Sequence, residues 1–215
     1  MALSIKYLDA ERLKELFSKG RRVVIVSHRN PDGDAVGAIT ALYSYLDGFQ
    51  LEVDAILPDP APHYLSFLDK DNSLLIYREE KEKCDTLLSK ADLIIGLDFN
   101  TPSRLGAMEE AFLSSNAFKV MIDHHPDPDR ANFDFVISNI DASSTCELLF
   151  YILVKMEAII ILDVAESLYV GMMTDTNNFA NSVTDTTFEM ASKLLEMGVD
   201  KEKLQFKVFG QYSFD

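Results

Sequence analysis

The chain has 215 residues, 47% hydrophobic and 26% charged, and its 20 Lys and Arg against 35 Asp and Glu give a net charge of −15. That length makes one full domain or one domain with a short extra piece, able to bury roughly 70% of its unfolded surface. The acidity excludes a broad duplex DNA footprint, which needs clustered Lys and Arg, but it leaves room for a small anionic substrate wherever bound cations invert the local field.

Two cysteines, Cys84 and Cys146, lie far apart without a zinc spacing and are read as free thiols of a reducing compartment. The N-terminal MALSIKYLDAERLKELFSKG lacks a basic start followed by an apolar run, so it is not read as a signal peptide. The most apolar stretch, Ala158–Leu162, is far shorter than a membrane span. The expected location is cytoplasmic, with no membrane partner.

In chain order, Leu8–Ser18 has helical spacing and stops at Gly20, and Val23–Val26 is a β-branched run suited to a central parallel strand. Ala35–Leu46 is helical. Leu51–Leu57 reads as a strand broken by Pro58, Pro60 and Pro62; Leu65–Asp69 is a short piece and Leu74–Tyr77 a further strand. Cys84–Leu88 is helical, Leu93–Leu97 a strand, Ala107–Ser114 helical and Lys119–Ile122 a strand. Phe135–Ile137 is a candidate strand, and Ser144–Val154, Asp163–Met173 and Thr184–Met197 close the chain as helices. This alternation predicts an α/β domain, a mostly parallel sheet of four or five strands with helices on both faces. Ligands in such sheets bind beyond the carboxyl ends of the strands.

Polar clusters fall at those ends. Val23–Val26 runs into SHRNPDGDAVG, where a turn at Pro31-Asp32-Gly33 lets Asp32 and Asp34 point toward one place with His28, and Asn30 is a polar orienter. An ordinary loop with Asp34 capping the helix from Ala35 accounts for part of this cluster, but for neither His28 nor Asp32. Asp98 follows Leu93–Leu97 and is the natural bridge, because one carboxylate can bind two ions. Arg104, close by in sequence, suits a structural ion pair and a phosphate contact equally.

In IDHHPDPD, His124 is read as a metal ligand and His125 as facing substrate, with Asp123 fixing an imidazole tautomer. Asp175 in GMMTDTNNF fits either a helix C-terminal turn or a ligand. His63, alone in a proline-rich loop, is read as surface. Carboxylates with imidazole suit Mn²⁺, with Mg²⁺ or Co²⁺ as alternatives. Two ions about 3.5–4 Å apart can share a hydroxide and stabilise both the attacking and the leaving oxygen of a phosphate ester. No Walker or dinucleotide-binding glycine loop is present.

With SHRNPDGDAVG, the isolated Asp98, Asp123-His124-His125 and Asp175 in this order, the sequence resembles the DHH phosphoesterase superfamily from His28 to about Phe179. PDGDAVG and ASSTCELLF make it similar to the branch of oligoribonucleases and 3′-phosphoadenosine 5′-phosphate phosphatases. The resemblance implies a DHH catalytic domain over residues 1–195 and two ions. His28, Asp32 and Asp98 would hold one; Asp34, Asp98, His124 and Asp175 would hold the other. It also implies that His125 contacts the scissile phosphate and helps the leaving oxygen.

The catalytic set expected is therefore His125, Asp98, Asp123 and Asn30. The substrate expected is short single-stranded RNA or a small nucleotide phosphate. Inorganic pyrophosphatase and cyclic-dinucleotide phosphodiesterase are the enzymatic alternatives, and a regulatory module that lost catalysis is the non-enzymatic one, although none of its ligands is eroded. Members of this branch carry a second domain with a glycine-rich motif that is absent here, so residues 196–215 are read as a terminal segment or linker toward such a domain. A homodimer is expected, with Leu148–Met156 and Leu168–Met173 as core or as a dimer face.

Overall fold

A computed structural model describes residues 7–17 and 21–210; the expected helix stop at Ser18 and Gly20, the first six residues of the N-terminal reading and the closing QYSFD lie outside the described residues. After α1 (Tyr7–Leu16), the chain alternates β1 (Arg22–Val26), α2 (Gly33–Asp47), β2 (Glu52–Leu57), a 3₁₀ helix (His63–Leu68), β3 (Leu74–Ile76), α3 (Lys81–Lys90) and β4 (Leu93–Leu97). A second 3₁₀ segment (Pro102–Met108), α4 (Glu109–Ser114), β5 (Phe118–Asp123) and β6 (Phe135–Ser138) follow. The chain then runs through α5 (Thr145–Lys155), α6 (Leu162–Asp175), α7 (Asp185–Glu196) and α8 (Lys201–Phe209).

All six strands form one parallel sheet in the order β3-β2-β1-β4-β5-β6. The sheet is thus larger than the four or five strands expected. The extra members are the edges: β3 has three residues, all half-buried, and β6 has four, of which only Phe135 and Ile137 are buried, too short for a strong apolar run. The central strands are continuous apolar runs because both faces are covered. Successive side chains alternate between two cores. Val23 and Ile25 point to the layer of α2, α5 and α6, and Val24 and Val26 to the layer of α3 and α4. Each such buried Val or Ile stabilises the fold by about 1.5–3 kcal/mol.

Leu148–Leu153, apart from Tyr151, and Leu168–Met173 are core. The pattern did not reveal α8, which lies in the segment read as a linker; Asp200 caps it, and Leu204 and Val208 bury against the rest of the domain. Cys84 and Cys146 are buried free thiols. Among the described residues no helix is long and apolar enough to cross a membrane.

The order reverses between β1 and β4: the chain leaves β1 on one side, toward β2, and returns to β4 on the other. Neighbouring loops diverge there and open a crevice at the carboxyl ends. Helix α2 starts in it. Its cap is Asp32, not Asp34: the Asp32 carboxylate accepts the N–H groups of Asp34 (3.0 Å) and Ala35 (3.1 Å), so the helix begins at Gly33. A Cβ at Gly33 would fall 2.1 Å from Thr174 Oγ1, so glycine there lets the start of α2 meet the end of α6.

Candidate metal centre and active site

Four chain segments converge in this crevice. His28 follows β1, Asp32 caps α2 and Asp34 lies in its first turn, Asp98 follows β4, Asp123 ends β5 with His124 and His125 directly after it, and Asp175 is the last residue of α6. Their ligand atoms fall into three groups, each within 4.8 Å: His28, Asp32 and Asp98; Asp34, His124 and Asp175; and Asp98, His124 and His125. Asp98 lies between the others. Its Oδ2 is 3.4 Å from His28 Nε2, and its Oδ1 is 3.7 Å from both His124 Nε2 and His125 Nδ1. The second group closes with His124 Nε2 at 3.5 Å from Asp175 and 4.0 Å from Asp34. Asp98 holds a left-handed backbone (φ +65°), uncommon for a non-glycine residue and a form of strain that clusters at functional sites.

The imidazoles are oriented from behind. His28 Nδ1 lies 2.8 Å from the Arg29 carbonyl and His124 Nδ1 3.3 Å from the Ala142 carbonyl, so each ring donates backward and turns Nε2 into the cluster. Asp123 holds His125 twice, at Nδ1 (2.8 Å) and at the backbone N–H (3.1 Å).

The carboxylates have a brace that sequence reading missed. Asp34 accepts the backbone N–H groups of Thr145 (2.6 Å) and Cys146 (2.9 Å) at the start of α5. Thr145 Oγ1 donates to Asp98 Oδ1 at 2.9 Å. The signal available was Ser144-x-x-Glu147, a helix start whose orphan N–H groups suit a buried acid. Ser144 does cap α5, through Glu147 N–H.

The residues present fit divalent cations. Buried His28 Nε2 has no hydrogen-bond partner, which is costly unless a ligand takes its lone pair. Burial pushes Asp34 well above the ordinary carboxylate range, aided by the charges of Asp98 and Asp175. Asp175 is pushed up to about 6 by burial, against the pull of His124 and with the charges of Asp98 and Asp32 adding to the rise. It also sits at a helix C-terminus, where the dipole favours cations over carboxylates. Asp98 goes the other way: burial would raise it, but His28, His124 and His125 together hold it low. Burial would lower His28, yet Asp98 raises it. His125 is raised by its bond to Asp123, against burial and the charge of Arg104. Without a cation, buried carboxylates are crowded together and compete for protons.

Arg104 is half-buried and has no carboxylate partner among the described residues, so a structural ion pair is not what holds it. Asn30 is exposed with φ +50°; its N–H donates to Asp59, and its side chain makes no hydrogen bond to the cluster. His63 is exposed, as read, in the 3₁₀ helix after β2.

The chain is similar to several known proteins. The bifunctional oligoribonuclease and PAP phosphatase NrnA of Thermus thermophilus is 30% identical over 192 residues, 86% of this chain and 54% of that protein. The cyclic-di-AMP phosphodiesterase GdpP of Geobacillus thermodenitrificans is 30% identical over 206 residues, 90% of this chain and 30% of that protein. A crystal structure of an exopolyphosphatase-related protein from Bacteroides fragilis superposes with a TM-score of 0.94 at 34% identity, covering 100% of this chain and 64% of that one. The chain therefore spans between under a third and under two thirds of these proteins. Residues 22–172 match the DHH family, N-terminal domain, and the chain belongs to the DHH family.

Proposed function

We propose that this chain carries the catalytic half of a metal-dependent phosphoesterase that hydrolyses short oligoribonucleotides or 3′-phosphoadenosine 5′-phosphate. The observation that carries this reading is the set of facing ligand groups joined by buried Asp98, with His28 Nε2 left unpartnered inside it. His28, Asp32 and Asp98 would hold one cation, and Asp34, Asp98, His124 and Asp175 the other, with Mn²⁺ suiting the donor set best. When bound, such cations draw charge from a phosphate ester and acidify water.

The chain's own groups do the rest. Asp123 orients His125 and keeps a proton on it, which a leaving oxygen can take. Arg104, free of a carboxylate and close enough to depress the proton affinity of His125, is assigned to a non-bridging phosphate oxygen. Asn30 is assigned as a polar orienter at the rim. Thr145 and Cys146 keep Asp34 and Asp98 in place. Support for the nucleotide substrate comes from similarity to the oligoribonuclease and phosphatase of Thermus.

The similarity to the cyclic-di-AMP phosphodiesterase favours a second reading, a cyclic-dinucleotide substrate. The test is turnover of the full-length protein with Mn²⁺ on dinucleotides, 3′-phosphoadenosine 5′-phosphate, cyclic dinucleotides and pyrophosphate. Release of nucleoside monophosphate from a dinucleotide, or of phosphate from the bisphosphate, is the expected result. Turnover of pyrophosphate alone would overturn it. Two ions per chain by elemental analysis are expected; fewer than one at saturating Mn²⁺ would favour a regulatory module instead.

A further inference from the structure

A cavity of about 620 Å³ opens beside the cluster, within the range of small-molecule sites. One wall is Asp32 and Asp175, the two most open carboxylates of the ligand groups. The opposite wall is His63 and Tyr64 from the 3₁₀ helix after β2, with Val208 and Phe209 from α8, which packs against that helix. The cavity thus lies toward the β2 side of the crevice, whereas His125 and Arg104 approach from the β4 and β5 side.

Its chemistry is selective. No Lys or Arg lines it among the described residues, and its only carboxylates already belong to the ligand groups. A second phosphate placed there would find no Lys or Arg among the described residues. A nucleobase is uncharged and planar, and meets a phenol, an imidazole, a phenyl ring and an aliphatic side chain. Such rings favour stacking that tolerates any base. Because Asp32 and Asp175 belong both to this wall and to the ligand groups, a substituent of a phosphate held at the cluster reaches the cavity directly.

We infer that this cavity is the subsite for the nucleoside attached to the scissile phosphate, with His63, Tyr64 and Phe209 as its specificity-determining residues. This rests on the proposed phosphoesterase reading and deepens it, because the subsite selects nucleotides over pyrophosphate and polyphosphate.

Two measurements test it. Calorimetric titration of the Mn²⁺-loaded chain with adenosine 5′-monophosphate and with inorganic phosphate should show the nucleotide binding about tenfold tighter or more, the worth of one stacked base. Tyr64→Ala and His63→Ala, both at exposed positions, should each shrink that ratio while the affinity for inorganic phosphate holds. In the metal-free chain, adenosine alone should shift the His63 ring resonances, and inorganic phosphate should not. Equal affinities for nucleotide and phosphate, or variants that weaken both ligands equally or neither, would overturn the inference. A chain that binds adenosine at His63 yet hydrolyses no phosphate ester would overturn the hydrolase reading and keep the subsite.

Discussion

Thr145→Val isolates one hydrogen bond of the site. Valine keeps the β-branched shape and the backbone N–H that Asp34 accepts at 2.6 Å, and removes only the hydroxyl that donates to Asp98 Oδ1 at 2.9 Å. Both partners are buried, Thr145 at 0% and Asp98 at 1% exposure, so water cannot replace the lost donor without displacing packed atoms. A hydrogen bond to a charged group is worth about 1.5–3 kcal/mol. At about 1.4 kcal/mol per factor of ten, that is roughly 10–100-fold, the range found for groups that orient metal ligands. Mn²⁺ affinity and turnover should both fall by this factor, with Thr145→Ser recovering most of the loss, and the Tm of the metal-free protein should fall by a few degrees because Asp98 loses a buried donor. Direct titration with Mn²⁺, alongside turnover of a dinucleotide, measures it. If Thr145→Val stayed within twofold of wild type on both counts, the hydroxyl would not be holding Asp98, and the brace from α5 would reduce to its two backbone bonds.

Asp98→Asn should cost affinity for at least one ion and several orders of magnitude in turnover, since charge between two cations is lost at constant size; His125→Ala should keep both ions and lose activity alone, and ion counts with turnover separate the two. Gly37→Ala would gain about 1 kcal/mol of helix propensity. Its Cβ, however, would lie 2.6 Å from Ser167 O and 3.0 Å from Gly171 N, backbone atoms that yield only if α6 moves. Overpacking of about 1–3 kcal/mol should win and lower the Tm by a few degrees; a higher Tm would refute the tight approach of α2 and α6.

The site should also make stability respond to pH with opposite signs in the two metal states. Asp34 and Asp175 are raised, so the metal-free folded state binds more protons than the unfolded one, and their contribution is lost as pH rises through about 6 for Asp175. Raised His28 and His125 act the same way, with stability present below their unfolded pKa and lost above their folded one. Asp98, held low, has the opposite sign only in more acidic solution. Metal-free protein should therefore melt lower at pH 8 than at pH 5.5, whereas Mn²⁺-loaded protein should melt higher, because cations take the deprotonated ligands. Melting curves with chelator and with Mn²⁺ check this, and equal signs would count against the assignment.

What the sequence by itself determined was the layered α/β plan and which acidic and imidazole side chains stand beyond the strand ends. Strands such as Val23–Val26 and Leu93–Leu97 read clearly because burial on both faces makes them continuous apolar runs. His28, Asp98 and His124 read clearly because polar side chains directly after such runs are seldom there for packing. The edge strands β3 and β6 and the polar helix α8 were faint, since an element that buries few residues leaves few apolar positions to detect. The tertiary structure alone decided how the clusters meet. Thr145 serves Asp34 across 111 positions of chain, and His63 and Phe209 line one cavity only because α8 packs on the helix after β2. Local periodicity reports whether a side chain is buried. Which distant group it meets depends on strand order and helix packing, and those leave no periodic trace in the sequence.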